Sequence, residues 1–198
     1  MYVINSNFSL VKQVGDLSES RLNALKKNFY DTFPEIIRPN GETLILKKAA
    51  SALIISNDRI VFATQGDLSN INGDNIAEIL IKANEILELS PNSTMAVTIE
   101  AIDSVNENTL EKSKGYFGEC SDMLSAYGIG YRFMIRNENK YHGDVHIEPY
   151  IKDAQKIFYL LNLLSTEHIH SNEIHVFIDD ILSFLNEKVK SAASKIFL

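Results

Sequence analysis

The chain has 198 residues, 45% of them hydrophobic and 23% charged, and this composition excludes global disorder. Its net charge of −7 disfavours nucleic acid as a partner, because little basic excess is left to neutralise phosphates. The longest strongly apolar run, Ile157 to Leu164, is too short to cross a bilayer, and the N-terminal stretch lacks a secretory signal. The single cysteine, Cys120, cannot form an internal disulfide, so we expect a cytoplasmic protein without membrane contact.

The first half of the chain predicts the element order β-α-β-β-β-α. Ser18 is placed to cap the first helix, and Pro34 lies where that helix must end, because proline has no amide hydrogen to donate. Asn57 and Asp58 are turn residues between two apolar runs, which predicts an antiparallel hairpin. The predicted elements are a strand over 8–14, a helix over 18–33, strands over 42–48, 52–56 and 59–64, and a helix over about 74–89.

The second half predicts the same order. The predicted elements are a strand over 94–103, a helix over 109–127, two strands over 128–136 and 140–148, a strand over 155–164, and a helix over about 174–196. The buried face of the first helix is expected to contain Leu110, Phe117, Cys120, Leu124 and Tyr127. The apolar stripe of the last helix is expected to contain Ile174, Ile178, Ile181, Leu185, Val189, Ala192 and Ile196.

The stretch from Gly128 to Pro149 has the clearest strand pattern. Its apolar side chains alternate with polar ones on both sides of the turn Asn137-Glu138-Asn139, which predicts a β-hairpin with one buried face. The segments 55–58 and 135–138 share the pattern Ile-x-Asn followed by an acidic residue, at an offset of 80 residues. We therefore expect two duplicated halves, 1–92 and 93–198, that together form one structural unit.

Two β-α-β-β-β-α halves in succession resemble the TATA-binding-protein-like fold. The run Gly130-Tyr131-Arg132-Phe133 is also similar to a strand of some uncharacterised bacterial proteins of this layout. The resemblance implies an α+β protein, with an antiparallel sheet whose helices pack on one face, and by analogy a nucleic-acid binder. The acidic charge disfavours that role, and no pair of phenylalanines in a basic setting is present to act as minor-groove wedges.

A cluster of histidines supports a second hypothesis. All five histidines lie between 141 and 175, interleaved with carboxylates, and a metal site needs three or four such ligands to converge. The candidate metal ligands are His142, His146, His168 and His170. This reading predicts a metal-dependent hydrolase, whereas the alternative is that these side chains are solvated on a hairpin and a loop.

Other chemistry has less support. Cys120 is either a nucleophile paired with a histidine or a small core residue on a helical face. Phosphate-binding glycine loops and the serine-hydrolase elbow do not occur in the sequence. We expect no cofactor and assign no catalytic residue.

Two surfaces are candidates for binding. Arg132 and Arg136 leave the hairpin on the face opposite the aromatic residues, and Lys47 and Arg59 occupy similar positions in the first half. These cations either bind an acidic partner or a phosphate, or belong to a solvated polar face. The C-terminal stretch is apolar, and Ile196 and Phe197 there either dock on the protein's own core or complete an interface.

These observations favour a non-catalytic protein-interaction or oligomer-forming module of the bacterial cytosol. The hydrolase is the alternative, and the nucleic-acid binder comes third. The expected partner is another protein or a second copy of the chain.

Overall fold

A computed structural model describes residues 1–137 and 140–197 of the chain. Within them, one antiparallel sheet and a layer of helices form an α+β fold, as predicted. The strands are β1 (Tyr2–Val11), β2 (Glu35–Asn40), β3 (Thr43–Lys48), β4 (Ser51–Ser56), β5 (Arg59–Asp67), β6 (Asn92–Ser104), β7 (Tyr131–Asn137), β8 (Tyr141–Pro149), β9 (Lys156–Ser165) and β10 (Ile169–His170). The helices are α1 (Glu19–Phe29), α2 (Gly73–Ile86), α3 (Thr109–Ser113), α4 (Gly118–Met123), α5 (Ile174–Ser183) and α6 (Lys190–Phe197).

The two central strands, β1 and β6, join the halves of the chain. The order across the sheet is β2-β3-β4-β5-β1-β6-β9-β8-β7, with β10 paired to one end of β6. From the centre outward, the strands run β5, β4, β3, β2 on one side and β9, β8, β7 on the other. The two predicted halves, 1–92 and 93–198, therefore contribute strands to one continuous sheet. The duplication of the two halves stays a prediction.

The core lies between the sheet and the helices. Alternate strand residues point toward the helices, as in Leu44 and Leu46 of β3 and Leu53 and Ile55 of β4, and all of these are fully buried. On the helical side, α2 packs along α5, and Gly73 allows this approach because a Cβ at that position would lie 2.0 Å from Asp179 Oδ1. The hydrophobic effect over this layer holds the sheet and helices together.

Two strand predictions needed correction. The sequence pattern predicted a turn at Asn40-Gly41 and no strand before it, yet β2 (Glu35–Asn40) is an edge strand whose six residues are all exposed. An edge strand tolerates Pro39, since its outer side needs no ladder hydrogen bond. Strand β1 begins at Tyr2 rather than Phe8, because a register shift between Val3 and Ser6 interrupts the alternation of apolar residues.

The helix predicted over 109–127 was wrong. Two short helices, α3 and α4, replace it. Gly115 lies between them and Gly118 is the first residue of α4, and glycine lowers helix stability at both positions. Three expected core residues are exposed instead: Phe117 at 50%, Leu124 at 79% and Tyr127 at 70%. Cys120 is also exposed, so it is not a core residue.

The C-terminal helical rod consists of α5, a π-helical segment and α6, and together they span residues 174–197. It was predicted correctly over most of its length. Ile174, Ile178, Ile181, Leu185 and Val189 are buried on one stripe. Residues Phe184–Val189 form a π-helical segment, which has more residues per turn than an α-helix. The stripe therefore continues through Ala193 and Phe197, whereas the predicted Ala192 and Ile196 are only partly buried.

The N-cap of the first helix was predicted correctly, because Ser18 Oγ accepts a hydrogen bond from the Arg21 amide at 3.4 Å.

The described part of the chain contains no helix with the length and apolar character needed to cross a membrane.

Gly143 of β8 tests the close packing of the sheet. Its φ is +153°, and a Cβ there would lie 1.9 Å from the carbonyl oxygen of Asn162 on the neighbouring strand. We expect Gly143→Ala to lower the free energy of unfolding by about 3 kcal/mol, through backbone strain and overpacking. Urea denaturation gives this value, and Gly41→Ala is the matched control, because a Cβ at Gly41 has no described atom within 4 Å. Equal stability of the two variants would contradict this packing.

Candidate functional site

The face of the sheet opposite the helices, called the open face here, carries a row of mainly apolar side chains. Residues that alternate with the buried core positions point to this face, and the strand register places one of them on each successive strand. In order across the sheet, this apolar row consists of Ile37, Ile45, Ile54, Val61, Ser9, Ala96 and Leu164. These residues lie outside the core cluster that the sheet forms with the helices. Ile37 and Leu164 are exposed, whereas Val61 and Ser9 are already buried.

A second group of large apolar side chains lies on the same face. Ile102 of β6 is paired with Phe158 of β9, and Leu160 follows two residues later on β9. The Phe158 ring stacks on Tyr150, with ring centroids 6.5 Å apart. Like the apolar row, Ile102, Phe158 and Leu160 lie outside the core cluster. The open face therefore presents apolar surface on both halves of the sheet.

The charged residues on this face include Arg132, Arg136, Lys47 and Arg59. Arg136 is exposed and is paired in register with His142, and Lys47 is exposed and is paired with Glu35 of the edge strand. The role of these cations in binding stays a prediction.

Arg59 is already engaged by a neighbouring carboxylate. Its guanidinium donates two hydrogen bonds to Asp58 Oδ2, at 2.5 and 3.0 Å, and Ser56 Oγ donates one to Asp58 Oδ1 at 2.7 Å. These hydrogen bonds, first from Arg59 and then from Ser56, lower the pKa of the Asp58 carboxyl to about 2. Arg59 is thus paired with a carboxylate of its own β4–β5 turn.

A polar cluster lies on β8 and β7. His146 Nε2 lies 2.5 Å from Asp144 Oδ2 and His146 Nδ1 lies 3.4 Å from Glu148 Oε1. Arg132 Nε lies 3.2 Å from the same Asp144 oxygen. The Asp144 side chain is only 15% exposed, and the Arg132 guanidinium beside it offsets its charge. This arrangement fixes the polar side chains on this part of the open face.

The remaining candidate metal ligands engage other partners. His168 Nδ1 lies 3.1 Å from Thr94 Oγ1, His170 Nδ1 lies 2.7 Å from Asn172 Oδ1, and His142 is exposed on β8. Within residues 1–137 and 140–197, no three histidine, cysteine, aspartate or glutamate side chains form a group able to hold a metal ion. The structure therefore does not bring His142, His146, His168 and His170 together as a ligand set.

The C-terminal stretch docks on the protein itself. Phe197 is fully buried, and its ring meets Tyr131 edge-on with centroids 6.4 Å apart. Ile196 is partly buried and packs against the core. Of the two alternatives stated from the sequence, Phe197 therefore follows the one in which it docks on the protein's own core. Residue 198, also part of that apolar stretch, lies outside the described residues, as do positions 138 and 139 of the predicted hairpin turn.

Sequence reasoning missed the apolar row, although the signal was present. Three short strands have apolar residues at consecutive positions: Leu44-Ile45-Leu46, Leu53-Ile54-Ile55 and Ile60-Val61-Phe62. Such runs are typical of strands with both faces covered, whereas a sheet with one solvated face shows apolar and polar residues in alternation. A count of apolar residues on each face would have indicated a second apolar surface.

No protein-family model matches this chain, and no curated protein matches it.

The carboxyl of Asp58 provides a test of the Arg59 contact. NMR titration of the side-chain carboxyl is expected to give a pKa of about 2, which rises toward the ordinary 3.8 in Arg59→Gln. Because the folded pKa is lowered, the contact stabilises the fold above about pH 4, and this contribution is lost as the pH falls through 2. Ser56→Ala should raise the pKa by less than Arg59→Gln. A wild-type value near 3.8 would show that the contact is absent in solution.

Proposed function

We propose that the chain is a non-catalytic protein-interaction module that forms a homodimer through the open face of its sheet. The observation that carries the proposal is the apolar row, which crosses the sheet on the side away from the helices. Apolar surface of this extent is favourable to bury, at about 25 cal/mol per Å². A second sheet packed face to face supplies the complementary layer, as in β-sandwiches.

The size of the face supports self-association. The nine strands that follow one another across the sheet span about 38 Å, at a spacing of ~4.8 Å. Strands of 6 to 10 residues are about 20–33 Å long. The open face thus measures roughly 800–1,200 Å², and a stable interface buries about 800 Å² on each partner.

The distribution of side chains also supports an interface. The apolar row crosses the middle strands, charged residues such as Lys47 and Arg136 lie toward the outer strands, and Thr98 and Glu100 of β6 separate the row from Ile102. Apolar patches bordered by polar residues are the usual anatomy of a protein–protein interface. Small and polar members of the row, Ser9 and Ala96, leave room between β1 and β6 for side chains of the facing sheet.

Sedimentation analysis of purified protein tests the proposal. We expect the wild-type chain to have twice its 22.3 kDa mass at micromolar concentration. Ile54→Glu should raise the dimer dissociation constant at least about 100-fold, because twofold symmetry buries the introduced carboxylate at two places. Ile45→Lys tests the adjacent position on β3 with the opposite charge, and it should have a similar effect.

Val176→Glu is the matched control, since Val176 is 51% exposed on α5, on the helical side of the sheet. This variant should dimerise as the wild type does, and circular dichroism should show all variants folded. The proposal is overturned by a wild-type protein that is monomeric at every concentration, or by a dimer that persists in both open-face variants.

A further inference from the structure

The strand β7 forms an edge of the sheet with an unpaired side. Among the described residues, β7 pairs with β8 alone, and it is the last strand in the sheet order. It runs seven residues, Tyr131–Asn137, and contains no proline or glycine. The opposite edge, β2, contains Pro39, which blunts pairing with another strand. The two edges of the sheet thus differ in their capacity to accept a further strand.

The hydrogen-bond pattern shows which residues of β7 face outward. The Tyr150 amide donates to the Lys156 carbonyl, and the Thr166 amide donates to the Lys140 carbonyl, so even-numbered β8 positions bond to β9. In an antiparallel ladder, alternate residues bond to opposite neighbours, so odd-numbered β8 positions bond to β7. Their partners on β7 are the odd-numbered residues. Arg132, Met134 and Arg136 therefore direct their amides and carbonyls outward.

An apolar cleft adjoins this edge on the helical side of the sheet. Its volume is about 170 Å³, and β7, β8 and the helical rod form its walls. The apolar lining side chains include Phe133, Ile135, Val145, Ile147, Phe184 and Ala192. Phe133 is 38% exposed although it points to the side of the sheet where the core lies. A strand added beside β7 would direct every second side chain toward this cleft.

Cationic side chains lie around this edge, together with the Asp144 carboxylate that pairs with Arg132 Nε at 3.2 Å. Arg132 and Arg136 lie on the open-face side of β7, and Lys188 lines the cleft on the other side. All three side chains are exposed. A second copy of β7 in this place would bring further arginines close to these, and like charges on adjacent strands destabilise their pairing. An acidic segment meets opposite charges instead.

We propose that the edge of β7 and its cleft bind an extended peptide segment in which apolar and acidic residues alternate. The segment adds a strand to the sheet through the outward amides and carbonyls of Arg132, Met134 and Arg136. Its apolar side chains enter the cleft between β7 and the helical rod, and its carboxylates lie beside the arginines. This site adjoins the open face at its outer edge and does not depend on dimerisation there.

Fluorescence anisotropy with a designed peptide tests the proposal. The probe is labelled acetyl-Gly-Glu-Val-Glu-Val-Glu-Val-Glu-Gly-amide, and its control has lysine in place of each glutamate. We expect the glutamate peptide to bind the full chain at least tenfold more tightly than the lysine peptide, a difference of about 1.4 kcal/mol. Its affinity should fall as salt is added, because part of the attraction is between charges.

Two variants of the protein separate the backbone contribution from the cleft. Met134→Pro removes an outward amide while the β8 ladder is retained, and it should weaken peptide binding at least tenfold, whereas Met134→Ala keeps the amide and should change binding by less than about threefold. Ala192→Phe fills the cleft and should also weaken binding, with the dimer mass unchanged. Absence of binding, equal affinity for both peptides, or full affinity in both Met134→Pro and Ala192→Phe would overturn the proposal.

Discussion

The antiparallel pairing of β1 with β6 is the constraint on which the rest of the structure depends. Nine register pairs join these strands, from Tyr2 opposite Ile102 to Val11 opposite Thr94. Each of the two strands is hydrogen-bonded on its other side as well, β1 to β5 and β6 to β9. Residues far apart in sequence are therefore fixed in one continuous sheet, and the helices of both halves pack over a single core. Without this pairing, neither the apolar row nor the wide open face would exist.

A sheet of this width has two faces and two edges to account for. The helices cover one face, and the other has apolar residues on strands from both halves, from Ile45 on β3 to Leu164 on β9. At one edge Pro39 blunts pairing, while at the other Met134 is 75% exposed on a strand with outward amides. The proposed association accounts for both features. A partner sheet would cover the apolar face, and a partner strand would pair with the bare edge.

Several elements were predictable because their information is local. The periodicity of 74–89, the alternation of the 128–149 hairpin and the apolar run of β9 each determine an element without long-range contacts. Edge strand β2 was not predictable, because tolerance of Pro39 depends on a position at the end of the sheet. The π-helical segment likewise shifts the buried stripe by one residue, so that Phe197 rather than Ile196 is buried. A pattern based on 3.6 residues per turn does not predict this shift.

The candidate surfaces were predictable only in part. Arg132 and Arg136 were correctly placed opposite the aromatic side chains of their hairpin, because side-chain direction alternates within a strand. The apolar row was not predicted, since it joins residues as distant as Ile37 and Leu164, and only the strand order brings them into line. The grouping of all five histidines within 35 residues suggested a metal site, yet His146 and His168 have separate hydrogen-bond partners. Proximity in sequence did not determine convergence in space.

Isoleucine-methyl NMR with a soluble paramagnetic probe tests the central claim most directly, because it reports which side chains a partner covers. The account predicts that the methyl groups of Ile45 and Ile54 relax strongly when the protein is dilute and become protected as its concentration rises. Ile151, which is 79% exposed and lies beyond the end of β8, should relax strongly at every concentration. Equal probe access to Ile45 and Ile54 at low and high concentration would contradict the claim that the open face is the association surface.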